Sequence, residues 1–294
     1  MGLDINSVQF LLAARKQGVC FDHTLMLGRH SLNVFPRTLK AVLERNGFSN
    51  EKFRVPSAYA EPFFETLGAT QVDSLDNSDF EGAKLVHDLN QPLPADWKER
   101  FDVVFDGGTL EHVFNFPTAL RSAMELVKPG GRLFIHNCAN NLCGHGFYQF
   151  SPELFYRALS PENGFEVERM VIHRVGPYGH WHEVSDPNAI RERVELITFT
   201  PMHLLVQAKR TSLKPVFAQA PQQSDYSVMW QAAGPAAPAR RWSKFPGWRA
   251  RRDFSTFSST GWNSIAANRS ASANFSRKFA ASPRAEGRGR RAET

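Results

Sequence analysis

Apolar positions in the first 210 residues fall into short compact runs separated by amphipathic stretches, and that alternation predicts the elements. Residues 6–18 place Val8, Leu11 and Leu12 on one face and close on Gly18, as a helix does. Residues 24–27 (TLML) form an apolar run ending at Gly28, which reads as a buried strand. Residues 36–47 open with proline and close with glycine, the order expected of a second helix. An irregular stretch follows to about residue 62, then a short helix over 63–67. Strand candidates are 69–74, 83–87 and, most clearly, 101–105 (FDVVF), which is compact and flanked by turn residues. Residues 117–127 form the best helix, with Leu120, Met124 and Val127 on one face and Lys128-Pro129-Gly130-Gly131 to end it. A strand over 132–136 and a helix over 151–159 come next. Strands over 165–173 and 198–208 then bracket a loop rich in His, Tyr and Pro.

Buried-looking strands alternating with helices predict a doubly wound α/β domain, a parallel sheet with helices on both faces, over residues 1–212. In such sheets ligands bind beyond the carboxyl ends of the strands, so polar residues just after each strand are the candidates for chemistry. From residue 213 to 294 the period dissolves into Ala, Ser, Pro and Arg, the composition of a disordered tail. The formal charge of +6 suggests a nucleic-acid partner until it is located. From Gly234 onward there are 13 Lys and Arg against 3 Asp and Glu, which leaves 22 against 26 for the rest. The basicity belongs to the tail. Its arginine clusters, interleaved with Trp242, Trp248 and Trp262, read first as a solvated extension, so nucleic acid is not the expected partner. Cys20, Cys138 and Cys143 make no disulfide framework. With no leader-like N-terminus and no apolar run of membrane-spanning length, the expectation is a soluble cytoplasmic protein.

Residues 101–135, FDVVFDGGTLEHVFNFPTALRSAMELVKPGGRLFI, concentrate the chemistry. Asp106 closes a strand where a ligand's polar groups would approach, and Gly107 and Gly108 permit tight backbone there. Asp106 also suits a plain turn cap. Glu111 and His112 fit either a general base or a helix-start feature. This block resembles the central segment of class I S-adenosylmethionine-dependent methyltransferases, where a strand ending in Asp leads through Leu-Glu-His and a helix to a Lys-Pro-Gly-Gly turn. The resemblance extends over residues 24–208. It implies a Rossmann-like methyltransferase sheet with S-adenosylmethionine as cofactor. It also implies an acidic residue after the second strand for the ribose hydroxyls, here Asp76 in preference to Asp73, because a carboxylate takes two charge-assisted hydrogen bonds at once. Asp88 matches the position of the residue at the adenine amino group, and Asp106 and Gly107 would lie against the cofactor. The family's glycine-rich turn after the first strand is reduced here to Gly28, with Arg29 or Ser31 left to reach the methionine carboxylate.

After the strand over 132–136 comes a dense polar and aromatic group, HNCANNLCGHGFYQF, similar to a bacterial methyltransferase-like subgroup. It offers Asn141 and Tyr148 as substrate contacts, and His145 beside Glu111 and His112 as a proton acceptor. The later loop adds Tyr178, His180, His182 and Glu183, of which His180 and His182 are the preferred substrate contacts. His136, Cys138, Cys143 and His145 match no standard zinc spacing, so no metal is expected. The expected activity is methyl transfer to an oxygen or nitrogen of a small metabolite or sugar. The alternative is a non-catalytic methyltransferase-fold scaffold, favoured by the reduced glycine turn.

Overall fold

The computed structural model describes residues 2–48, 58–176, 180–190, 194 and 197–226. Its strands are β1 (His23–Leu27), β2 (Gln71–Asp76), β3 (Leu85–Val86), β4 (Phe101–Asp106), β5 (Val127–Asn140), β6 (Phe165–Arg174), β7 (Trp181–Glu183) and β8 (Met202–Arg210). They form one sheet in the order β3-β2-β1-β4-β5-β8-β6-β7. The first five are parallel neighbours, while β8 runs antiparallel between β5 and β6. The chain winds from β1 outward to β3, then returns to β4 beside β1. The gap between β1 and β4 is therefore the point where strand order reverses, the usual ligand crevice of such a sheet.

Helices cover both faces, as the alternation predicts. On one face lie α1 (Ile5–Lys16), α2 (Pro36–Arg45) and α3 (Glu61–Thr66), burying Phe10, Leu43, Phe63 and Phe64 against Met26, Phe105 and Phe134. On the other lie α4 (Phe116–Leu126) and α5 (Pro152–Ala158), with Leu120, Met124 and Phe155 against Leu25, Val104, Leu133 and Ile135. Leu25/Met26 and Phe134/Ile135 send successive side chains to opposite faces, which is the period-two pleat of a strand buried on both sides. All six residues of β4 are buried, so FDVVFD is the middle of the sheet. Asp4 caps α1 by accepting from Ser7 N at 2.8 Å, and proline in the first turn starts α4.

Four differences from the expected elements have physical causes. β2 runs two residues further than 69–74, so Asp76 ends the strand rather than following it. β5 begins at Val127, since α4 passes through Lys128-Pro129-Gly130-Gly131 directly into extended backbone. The loop expected between β6 and β8 contains β7, an edge strand, and α6 (Pro187–Ile190). Trp181 anchors β7 by donating to Asn6 Oδ1 and packing edge-on to Phe10. Finally, packing continues past the boundary expected at residue 212. Val216 is buried in the α4 and α5 core, Phe217 N donates to Asn163 Oδ1, and Ser224 N donates to Glu153 Oε1. The expected disordered tail lies, from residue 227, outside the described residues.

Candidate functional site

An open cleft of about 410 Å³ lies at the carboxyl ends of β2 and β4. Asp76 and Asn77 leave β2 on one side, and His87, Asp88, Leu89 and Asn90 follow β3. Gly108, Thr109, His112 and Val113, from the turn after β4, complete it. Strand register explains the convergence. Leu27 pairs with both Leu75 and Asp106, so the turns after β1, β2 and β4 start at one level. Asp76 accepts from Asn77 N at 2.6 Å and Asp88 from Asn90 N at 2.9 Å. That N–H and the Asn90 side chain hold the exposed Asp88 carboxyl below its ordinary value, so it is anionic. Asp73, the other acidic candidate of β2, is bound to Lys84 Nζ and His23 Nε2 instead and does not line the cleft.

Gly28 and Thr109 close the floor. Gly28 has φ +79°, and a Cβ there would lie 2.8 Å from Thr109 Oγ1, which donates to Leu27 O. Only glycine fits that close approach. Arg29, expected to reach a ligand carboxylate, donates to Glu61 Oε1 and Glu81 O and stacks over Tyr59. Ser31 donates to Asn33 Oδ1, and Leu3 pairs with Leu32. The turn after β1 is thus covered by the chain's own first residues. Gly107 donates its N–H to His30 Nε2 at 3.0 Å, beneath the cleft.

Asp106 is fully buried. Its Oδ1 accepts from Thr109 N at 2.9 Å and Leu110 N at 3.3 Å, while Oδ2 makes no hydrogen bond. It caps the turn from below, and lines the cleft only through the backbone it holds. Burial, then the charge of Glu111, push its carboxyl up to about 7. Burial likewise raises Glu111 to about 7. Two carboxyls this close in low dielectric do not both ionise near neutrality. Asn137 of β5 donates to Glu111 Oε2 at 2.6 Å, and His145 Nε2 stands 3.4 Å from Oε1. Neither Oε1 nor His145 Nε2 has another hydrogen bond, so a proton on Glu111 has His145 as its natural acceptor.

The loop after β5 is fastened over Glu111, whose carbonyl accepts from Phe147 N at 2.8 Å. Gly146, at φ +71°, allows this, since a Cβ there would stand 2.8 Å from that oxygen. The rings of His145 and His112 lie 5.0 Å apart, so Glu111, His145 and His112 make a chain from the interior to the cleft. Burial, and for His112 also the nearby His145, lower both imidazoles, leaving them neutral at pH 7. Phe114 and Phe147 form an exposed edge-to-face pair 5.8 Å apart beside this chain.

The structure thus brings Asp76, Asp88 and His112 to one cleft and stacks Glu111, His145, Asp106, Gly107 and Gly28 around it. The remaining candidates are not brought in. Asn141 donates to Thr198 O and Thr200 O, and Tyr148 OH donates to Phe114 O, each tying a loop down. His180 and His182 are exposed at the β7 edge, four strands from β4, and Tyr178 lies outside the described residues. Asn137 was not anticipated, although a polar residue inside the apolar run of β5 is a visible signal. Thr109, His87 and Asn90 gave none.

Residues 71–135 match the family model described as "Methyltransferase domain". Every residue lining the cleft lies inside that segment. No curated protein sequence matches the chain. Among solved structures, the chain is similar to a Burkholderia thailandensis 1,6-didemethyltoxoflavin-N1-methyltransferase, at 15% identity and TM-score 0.40, covering 71% of this chain and 80% of that one. It is also similar to an S-adenosylmethionine-dependent methyltransferase from Thermotoga maritima, at 13% identity and TM-score 0.39, covering 69% and 91%. No helix of the described residues is long and apolar enough to cross a membrane.

Proposed function

We propose that this chain, whose residues 71–135 match a methyltransferase-domain model, is an S-adenosylmethionine-dependent methyltransferase that transfers a methyl group to an oxygen or nitrogen of a small metabolite or sugar. The observation that carries the reading is the cleft, whose two carboxylates, Asp76 at the end of β2 and Asp88 just after β3, lie within the matched segment. The donor set fits the cofactor. Asp76 would accept from both ribose hydroxyls and Asp88 from the adenine amino group, with Gly108 on the same cleft wall. When bound, S-adenosylmethionine supplies a methyl group activated by a sulfonium.

The chain's own work is then to align the acceptor, exclude water and take a proton. His112, neutral and on the cleft wall, receives the acceptor's proton and is in reach of solvent to release it. Phe114 and Phe147 give the face of a ring or sugar a surface to stack on. A scaffold without catalysis is the second reading, and one observation favours it. Arg29 and Ser31, the residues expected at the methionine carboxylate, are engaged within the protein.

Hydrogen exchange of the full chain with and without S-adenosylhomocysteine separates the two. The enzyme reading expects slowed exchange over residues 75–77, 87–90 and 108–113. Unchanged exchange at saturating ligand supports the scaffold.

A further inference from the structure

Away from the cleft, three histidines converge on the α1 face of the sheet. His136, His173 and His203 come from β5, β6 and β8, each two residues from an apolar residue of the same face: Phe134, Val171 and Leu205. His203 lies directly across from His173, and β8 runs between the other two strands. All three are buried, at 1%, 0% and 8% exposure respectively. His136 Nε2 stands 3.3 Å from His173 Nε2 and 3.1 Å from His203 Nδ1.

The surrounding hydrogen bonds fix where the protons are. Ser7 Oγ donates to Asp4 Oδ1 and accepts from Asp4 N, so the contact of 2.8 Å between Ser7 Oγ and His136 Nδ1 requires the histidine to donate. That leaves a lone pair on His136 Nε2. His173 Nδ1 faces the Arg174 carbonyl at 3.0 Å, which can only accept, so His173 Nε2 also carries a lone pair. A proton on His203 Nδ1 satisfies one of these. His203 Nδ1 lies 3.1 Å from His136 Nε2, so the lone pair of His173 Nε2, 3.3 Å from that same nitrogen inside the protein, has no proton to accept.

We propose that His136 Nε2, His173 Nε2 and His203 Nδ1 bind one divalent transition-metal ion of the zinc class. Three nitrogens about 2.0–2.1 Å from a tetrahedral zinc stand roughly 3.3–3.4 Å apart, close to the two separations observed. Imidazole nitrogens suit zinc, nickel and copper and not calcium or magnesium. Ser7 and the Arg174 carbonyl hold the two distal ring nitrogens, as partners of metal-bound histidines do. His203, at 8%, is the most exposed of the three. The ion would cross-link β5, β6 and β8, with α1 attached through Ser7. This set shares only His136 with the group expected from sequence to hold no metal. It stands independently of methyl transfer.

The test uses the full chain without an affinity tag, stripped with a chelator and titrated with zinc(II) by calorimetry. A parallel titration with cobalt(II) is followed by its visible ligand-field bands, and circular dichroism reports folding. The expected result is one ion per chain, tetrahedral cobalt bands, and loss of both in a His173→Ala/His203→Ala variant. Ser7→Ala should weaken binding about 10–100-fold, and Glu111→Gln should leave it intact. No uptake by the folded chain at micromolar metal overturns the proposal. So does uptake that survives the double variant or is abolished by Glu111→Gln. Should the double variant fail to fold, Ser7→Ala decides, and unchanged affinity there overturns it.

Discussion

Replacing Asp106 with asparagine should stabilise the domain, and increasingly so as pH rises. Asp106 is fully buried, Oδ2 has no partner, and Glu111 adds like charge, so its carboxyl moves from an ordinary 3.8 to about 7. A raised acid favours the protonated native state, so the folded chain binds more protons than the unfolded one between about pH 4 and 7. Stability therefore falls as pH rises through that window, and Asp106→Asn removes the fall. At about 1.36 kcal/mol per pH unit the full displacement is about 4 kcal/mol. It is counted once, because the two neighbouring carboxyls titrate as a pair. The asparagine Oδ1 keeps the Thr109 and Leu110 N–H groups, so the turn survives. The variant should gain about 2–4 kcal/mol at pH 8 and almost nothing at pH 4, a rise in Tm on the order of 10 °C at the upper end. Thermal unfolding of both proteins between those pH values reads it directly. A gap that stays constant with pH, or a variant less stable at pH 8, refutes the buried pair.

Other outcomes follow from the same geometry. His112→Ala should lower kcat for a hydroxyl acceptor by about 100-fold or more while leaving S-adenosylhomocysteine affinity within a factor of about 3, checked by steady-state kinetics with labelled methyl donor. Gly146→Ala forces a Cβ into the left-handed region against the Glu111 carbonyl, and should cost about 1–2 kcal/mol in chemical denaturation, with the loop after β5 freed to proteolysis. Phe64→Ala, a buried ring against Phe21 and Phe105, should cost about 3–5 kcal/mol, measured the same way.

The sheet was legible because its strands are buried on both faces and therefore written as compact apolar runs, with FDVVFD the clearest. That Asp76 and Asp88 stand near strand ends was legible for a related reason, although Asp76 proves to be the last residue of β2 and not the one after it. β7 was not, because Trp181-His182-Glu183 carries no strand pattern and is fixed by Asn6 and Phe10, some 170 residues away in sequence. The three-histidine cluster was invisible for the same reason. His136, His173 and His203 occur singly, and only the antiparallel placement of β8 between β5 and β6 brings them together. Asp106 illustrates a different limit. Its position was clear from sequence, but whether it lines the cleft or caps the turn depends on Thr109 and Leu110, whose N–H groups turn it inward. In the loop after β5, Asn141 and Tyr148 hydrogen-bond to backbone carbonyls, a use of polar side chains that sequence alone does not separate from ligand contact.

The cleft's role is tested most directly by calorimetric titration of the folded full chain with S-adenosylhomocysteine, alongside Asp76→Ala. Two charge-assisted hydrogen bonds to the ribose predict micromolar binding by the parent and a loss of about 100-fold in the variant. No heat of binding to a folded parent, or equal affinity in Asp76→Ala, would contradict the assignment of this cleft to the cofactor.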